Sequence, residues 1–468
     1  MNRQNNIEKY IRLREEYPLF YFEDYTISLI DNELVIRFSF NLNHQYYFYP
    51  ETRIPILANI SDQFFRNGGK VDDLKIFAFN IGMIELVSYW KTACSPKVII
   101  KPHVLTEAQI KWWKKIYFNG LGEFFYLNGI ENPDPESFME IITEGTPITT
   151  PDFQLDESAV LVPIGGGKDS VVTLELLRQK KIDCLPLIMN PRGATIDCIT
   201  AAGFTLASIF RIKRSIHPQL LELNAKGFLN GHTPFSAMLG FNTILASVLS
   251  GRRNIALSNE SSANEATVEG STINHQYSKS FEFEQDFRAY VHQFISPKPN
   301  YFSFLRPLSE LQIAALFSRF EIYHNVFRSC NVGSKTDSWC GNCPKCLFTF
   351  TILSPYLGEE RLTQIFDKDL FQDTSLTPYL RQLTGMDKVK PFECVGTVDE
   401  VNASLQQTIA INPADILSPL LQYYRQSPSY HPIHQTQFAA LLEEFIPEHN
   451  LEPHFEQIIK TALSWLSI

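Results

Sequence analysis

The chain has no excess of positive charge. Its 468 residues carry 41 Lys and Arg against 51 Asp and Glu, a formal net charge of −10. With no Lys/Arg block either, a nucleic-acid partner gains no electrostatic support. Long hydrophobic runs are missing too: the opening stretch Met1 to Tyr10 has no apolar h-region, and no later window is long enough to span a membrane. The expectation is a cytoplasmic protein with no membrane partner. Cysteine is sparse, with eight residues, and without an export signal these are expected as thiols or metal ligands, not disulfides. The Walker pattern GxxxxGK[ST], internal repeats and low-complexity tracts are absent, and no residue pattern sets an oligomeric state.

What is present describes a globular chain, 44% hydrophobic and 20% charged, of a length that suggests roughly two to four domains. The organising stretch runs from Ala159 to Leu174. An apolar run of strand length, Ala159 to Ile164, meets Gly165, Gly166 and Gly167, then Lys168, Asp169 and Ser170, then an apolar pattern of helical period. Consecutive glycines let the backbone bring bare N–H groups close to an anion, Ser170 and the new helix N-terminus add donors, and Lys168 adds a charge. The competing reading is an ordinary glycine-rich turn; Lys-Asp-Ser at this position favours nucleotide binding. The stretch resembles the PP-loop, Ser-Gly-Gly-x-Asp-Ser, of ATP pyrophosphatases, with Gly165 standing where that family has its first serine.

Residues 1–150 read as a separate aromatic-rich α+β domain. Tyr25 to Ile30 and Glu33 to Phe40 alternate as two strands joined by an Asp31-Asn32 turn, the start of a small antiparallel sheet. Helical periods follow over Asp73 to Trp90 and Thr106 to Tyr117, where Trp112 and Trp113 read as core. Prolines near Pro147 and Pro151 mark the boundary. Beyond the cradle helix, Cys184 to Met189 reads as a second strand, Thr205 to Arg211 as a third, Pro234 to Leu249 as a long helix and Asn254 to Leu257 as a fourth strand. Strands alternating with helices imply an α/β fold with a doubly wound parallel sheet, whose ligands bind beyond the carboxyl ends of the strands. There the chain offers Gly165 to Ser170, Asn190 to Gly193, and Ser258 to Glu260. Residues 351–468 read as a helical C-terminal region, with helices such as Pro413 to Tyr424 and Thr436 to Phe445.

Cys330 precedes Cys340 by ten positions, and Cys340, Cys343 and Cys346 follow at intervals of three. Cys-x-x-Cys turns let thiolates converge on one ion, and four thiolates close a tetrahedral Zn²⁺ site with no open position, so the site is structural. An iron–sulfur cluster is the lesser alternative. Cys94, Cys184, Cys198 and Cys394 show no such grouping and read as buried apolar residues.

A PP-loop followed by this cysteine spacing is similar to the queuosine-pathway nitrile synthase over the middle of the chain. A likeness over nearly the full length is carried by Ile81 to Lys91, Gly120 to Tyr126, Gly165 to Ser170, Asn230 to Pro234, Ser258 to Glu260, Asn274 to Lys279 and Cys340 to Cys346. Together these resemble the UDP-N-acetylmuramoyl-L-alanyl-L-glutamate epimerase family. The resemblance implies a PP-loop (adenine nucleotide alpha-hydrolase-like) core with a structural zinc site at 151–350. It also implies a UDP-MurNAc-dipeptide substrate whose terminal L-glutamate is inverted while ATP is cleaved to AMP and pyrophosphate. ATP would be held by Gly165, Gly166, Gly167, Lys168, Asp169 and Ser170, with Asp169 or Glu260 on Mg²⁺. His275 titrates near neutrality, and Lys279 and His232 are further acid–base candidates, Lys168 completing the catalytic set. A thiol pair from Cys94 and Cys394 ranks below them. Two other classes compete. A PP-loop ligase, amidating or base-modifying enzyme would form AMP without inverting a centre, and a nucleotide sensor would do neither.

Overall fold

The computed structural model describes residues 3–131, 133–412 and 417–466. Its eleven strands, among the described residues, are β1 (Leu19–Ile30), β2 (Glu33–Leu42), β3 (Tyr46–Phe48), β4 (Glu51–Pro55), β5 (Lys97–Ile100), β6 (Glu140–Thr143), β7 (Asp156–Pro163), β8 (Cys184–Met189), β9 (Phe210–Arg214), β10 (Arg252–Leu257) and β11 (Asn300–Ser303). The fold is mixed α/β. The chain forms two compact units, each assembled from three segments: Met1–Leu161, Ile209–Ile255 and Tyr277–Tyr301 in the first, Val162–Ser208, Ala256–Gln276 and Phe302–Ile468 in the second.

In the first unit β1 and β2 pair antiparallel from Leu29↔Leu34 back to Phe20↔Leu42. The turn between them holds Asp31 at φ 49° and Asn32 at φ 59°, which two short polar side chains tolerate and which suits the twist of a two-residue hairpin. β3, β4 and β9 extend this antiparallel part, β9 lying against β4 through Thr52↔Arg214. On the other side β5 runs parallel to β1 and β6 parallel to β5. The expected antiparallel sheet is therefore mixed, because the helix Lys75–Trp90 carries the chain back across the sheet before β5. That helix is buried from Ile76 to Trp90, packs on β1 and β2, and brings Gly82 so near Phe22 that an added Cβ would lie 2.4 Å from its ring. Phe22 stacks on Phe79 with centroids 5.9 Å apart. Trp113 is fully buried and its indole N–H donates to the Tyr290 hydroxyl at 3.0 Å, the core role expected of it. Residues 156–161 of β7 pair parallel with β10.

One strand reading needs correcting. Thr205 to Arg211 is not the third strand: Leu206–Ser208 is a 3-10 turn and the strand runs Phe210–Arg214. Arg211, Lys213 and Arg214 obscure it as an apolar run, and Arg214 is accommodated because Glu85, on the buried helix, accepts two hydrogen bonds from its guanidinium, both at 2.7 Å.

In the second unit, Ile164 N–H bonds to Leu187 O at 2.8 Å, which keeps the chain beyond β7 alongside β8. Phe304 N–H likewise meets Leu257 O at 2.7 Å. The helices Glu310–Ser318, Pro344–Phe366 and Val398–Ile411 pack on one another, and further helices run Pro419–Arg425, Gln435–Glu443 and Pro453–Leu463. The C-terminal region is helical as read, although the expected start of one helix, residues 413–416, lies outside the described residues. No helix of the described residues is long and apolar enough to cross a membrane.

Candidate active site

In the second unit the chain leaves β7 at Pro163 and enters the helix Lys168–Gln179 through Ile164, Gly165, Gly166 and Gly167. Gly166 sits at φ +83°, and a Cβ there would lie 3.1 Å from the backbone of Ala194 and Thr195, so the turn requires glycine. Gly167 precedes the first turn as its N-cap. Gly165 has nothing within 4 Å of where a Cβ would stand. The N–H groups of the first helical turn have no intrahelical acceptors and carry the positive end of the helix dipole. The Ser170 hydroxyl donates to Gly167 O at 3.0 Å, while Gly166 O accepts from Arg328 N–H at 2.8 Å.

Lys168 is buried, 4% exposed, and its ammonium bonds to carboxylate oxygens of both Asp169 and Glu310. Burial works against its charge, but the two carboxylates more than offset this and its pKa is raised. Burial raises the pKa of Glu310, with Lys168 opposing and Asp169 and Glu260 adding to the rise. Asp169, Glu260 and Glu310 each place a carboxylate oxygen within 4.8 Å of the others, and this set of hard oxygen donors suits a divalent cation such as Mg²⁺. Glu260 follows β10, as expected of a residue beyond the carboxyl end of a strand, and its carbonyl accepts from Arg306 at 2.5 Å. Glu310 went unnoticed in the sequence. It opens a helix capped by Ser309 and Gln312, where an acidic residue reads as ordinary first-turn chemistry.

The four cysteines converge. Their sulfurs all lie within 4.8 Å of one another, with Cys330 and Cys343 at 3.9 Å and Cys340 and Cys346 at 3.7 Å. A tetrahedral Zn²⁺ site with bonds of ~2.3 Å has sulfur–sulfur edges of about 3.8 Å, whereas a disulfide needs ~2.05 Å. N–H groups of Gly333, Asn342 and Cys346 donate to Cys330, Cys340 and Cys343 at 3.1, 3.4 and 3.4 Å, softening thiolate charge. The donor set fits zinc.

His275, also in this unit, is half-buried; its backbone N–H bonds to the Thr267 hydroxyl at 3.0 Å and its ring lies edge-on to Phe392.

In the first unit the segments ending in Lys91, around Glu123 and at Asn230 to Pro234 meet. His232 Nδ1 lies 3.2 Å from the buried Glu123 carboxylate, an arrangement that orients the ring. Lys91 donates to Gly231 O and, at 2.6 Å, to the Thr233 hydroxyl. Burial, reinforced by Arg214, pushes its ammonium down to about 8. Neither Lys91 nor Glu123 was picked out by residue type, although both lie in the segments that carry the resemblance. Lys279 closes the 3-10 turn Tyr277–Lys279 and is half-buried. Cys94 is fully buried, its thiol donates to Lys91 O at 3.4 Å, and burial pushes its pKa up, which disqualifies it as a thiolate base.

Residues 12–304 match the family model described as the MurL N-terminal domain, and residues 326–434 match that of the MurL C-terminal domain. The chain belongs to the MurL family. Proteins named UDP-N-acetyl-alpha-D-muramoyl-L-alanyl-L-glutamate epimerase are 38% identical in Salinispora tropica, over 68% of this chain and 70% of that relative, and 37% identical in a Micromonospora species, over 67% and 70%. One from Xanthomonas oryzae pv. oryzae is 35% identical over 67% and 70%. No solved structure matches the chain. Within the MurL match, the glycine loop, Glu260 and His232 fall in the N-terminal model and the four cysteines in the C-terminal one.

Proposed function

We propose that the chain is an ATP-dependent epimerase that inverts the terminal L-Glu of UDP-MurNAc-L-Ala-L-Glu to D-Glu in peptidoglycan precursor synthesis. It would do so by adenylating the glutamate α-carboxylate, with release of AMP and pyrophosphate. The observation that carries this reading is the buried Lys168 at the head of a glycine-lined loop, in a chain of a family whose relatives are named for that substrate. Removing a proton beside a free carboxylate places a second negative charge next to the first. Adenylation removes that charge and makes the carbonyl an electron sink. Closure of the activated, N-acylated glutamate to an oxazolone would make the α-proton more labile still.

In this reading residues 151–350 are a PP-loop ATP pyrophosphatase core. The amides of Gly165, Gly166 and Gly167 and the helix N-terminus receive the phosphates of ATP, and Ser170 adds a hydroxyl. Lys168 neutralises the departing pyrophosphate. Asp169 and Glu260 would hold Mg²⁺, which supplies charge neutralisation at the phosphates when bound. Cys330, Cys340, Cys343 and Cys346 hold a structural Zn²⁺. The α-proton is moved by a group drawn from His232, His275 and Lys279, of which His232 has a carboxylate behind its ring. A pyridoxal route is disfavoured, since the glutamate nitrogen is already in a peptide bond and offers no free amine.

The test incubates the protein with ATP, Mg²⁺ and UDP-MurNAc-L-Ala-L-Glu and follows AMP and the chirality of the glutamate. AMP together with D-Glu supports the reading, and Lys168→Ala should lower AMP formation by about 100-fold or more. AMP without inversion would point to a ligase, and unchanged ATP cleavage in Lys168→Ala would remove the assignment of Lys168.

A further inference from the structure

Lys168 does not float in its loop. Its ammonium is gripped from a different part of the chain by Glu310, 2% exposed, and Glu310 is itself held. The Glu310 backbone N–H donates to Glu400 Oε1 at 2.7 Å. Glu400 caps the start of its own helix, accepting from Thr397 N–H at 2.6 Å and from the Thr397 hydroxyl at 2.9 Å. Gly396 lets this stack close: a Cβ there would lie 2.9 Å from Glu400 Oε2 and 3.2 Å from Glu310 Cγ. The result is a buried chain of contacts, Gly396 to Glu400 to Glu310 to Lys168, that ends at the loop.

Resting on the adenylation reading above, we infer that Glu310 is the positioning residue for Lys168, aiming its ammonium at the phosphates of ATP through a carboxylate fixed by the Thr397–Glu400 cap. Asp169 also bonds Lys168, but it is the next residue on the same helix and 30% exposed at its side chain. It moves with the loop, whereas Glu310 supplies a reference point outside it. A lysine has four rotatable side-chain bonds, and restricting them before the nucleotide arrives is a form of preorganisation that acts on the chemical step more than on binding. Because phosphate oxygens compete with Glu310 for the same ammonium, removing the carboxylate should leave nucleotide affinity unharmed while slowing the step that needs an aimed charge.

The experiment compares full-length wild type, Glu310→Gln and Glu310→Asp. It measures binding of α,β-methylene-ATP by calorimetry and the KM and kcat of AMP formation with Mg²⁺ and UDP-MurNAc-L-Ala-L-Glu. Glu310→Gln should lose about tenfold or more in kcat with analogue affinity kept within about threefold, and Glu310→Asp should recover part of kcat. If Glu310→Gln does not fold, Glu310→Asp carries the test by the same split. Unchanged kcat, or a parallel loss of kcat and affinity that Asp does not relieve, overturns the inference. A wild type that forms no AMP overturns the adenylation reading and this inference with it; an active wild type beside an unimpaired Glu310→Gln overturns this inference alone.

Discussion

The backbone N–H of Arg328 donates to the carbonyl oxygen of Gly166 at 2.8 Å, and Arg328 stands two residues before Cys330. The next residue, Ser329, lies against Gly167, where an added Cβ would come within 3.3 Å of the serine Cβ. Further along, Asp337 Oδ1 accepts from Ala194 N–H at 3.1 Å, and Ala194 is the residue whose backbone crowds Gly166. The segment that leads into and through the four-thiol cluster is therefore the wall of the glycine loop.

On the proposed assignments, zinc binding and nucleotide binding should be coupled through this wall. The purified chain should hold about one zinc. Stripping it with a chelator, or substituting Cys343→Ser, should lower the melting temperature and also weaken α,β-methylene-ATP binding by about tenfold or more, since the site's binding energy is folding energy for the wall. Metal analysis, thermal unfolding and calorimetry read the three quantities. Nucleotide affinity that survives complete zinc loss would show the wall to be self-supporting.

The loop glycines are not equivalent. Gly166 at φ +83° faces backbone at 3.1 Å, while Gly165 faces open space. Gly166→Ala should cost about 1–3 kcal/mol through backbone strain and lower ATP-analogue affinity, whereas Gly165→Ser should leave both stability and affinity close to wild type. Thermal melts and calorimetry on the two variants decide it. Equal damage from both would mean that the loop tolerates no side chain at either position.

Much of the fold and of the candidate site is legible in the sequence. The Asp31–Asn32 turn, the helix ending at Trp90, the long helix Phe235–Ser250 and the cysteine spacing each follow from local rules of turn chemistry, period or ligand geometry. What escaped notice depends on partners distant in sequence. Strand β9 carries three basic residues that hide its extent, and buried Glu85, 129 positions away, is what pairs with Arg214. Glu310 looks like a routine first-turn acid until Lys168, 142 positions away, is found on its carboxylate. Lys91 sits at the end of an apolar helix, and only the return of Gly231 and Thr233 shows why a lysine is buried there. Residue type and spacing report what a segment does by itself; buried charges are set by what the fold brings to them.

Lys91 gives the chain a pH signature. Its ammonium is held down to about 8 by burial, below the ordinary lysine value of ~10.4. Between those two values the unfolded chain keeps this proton and the folded chain has lost it. More protons are then bound in the unfolded state, and stability rises with pH across that window. Below pH 8 both states carry the proton and the slope vanishes. Comparing wild type with Lys91→Met by chemical denaturation from pH 7 to 10.5 isolates the effect. The stability difference, wild type minus variant, should climb over the window by roughly 3 kcal/mol. A difference that stays flat would mean that Lys91 keeps an ordinary pKa in the fold.

Adenylation and proton transfer are separable steps, and substitution at the three acid–base candidates should separate them. If His232, backed by Glu123 at 3.2 Å, moves the α-proton, His232→Asn should retain AMP formation in the first turnover. Incorporation of solvent deuterium at the glutamate α-carbon should meanwhile fall by about 10²–10⁴-fold, the usual contribution of a positioned acid or base. Glu123→Gln should act in the same direction but less severely, because it removes the group that orients the ring and leaves the ring itself. His275→Asn and Lys279→Met, run in parallel, should then leave exchange within a few-fold of wild type. Mass spectrometry of the glutamate after reaction in D₂O measures the exchange. Full exchange in His232→Asn, with loss in one of the other two, would move the proton to that residue and leave the Glu123–His232 pair a structural one.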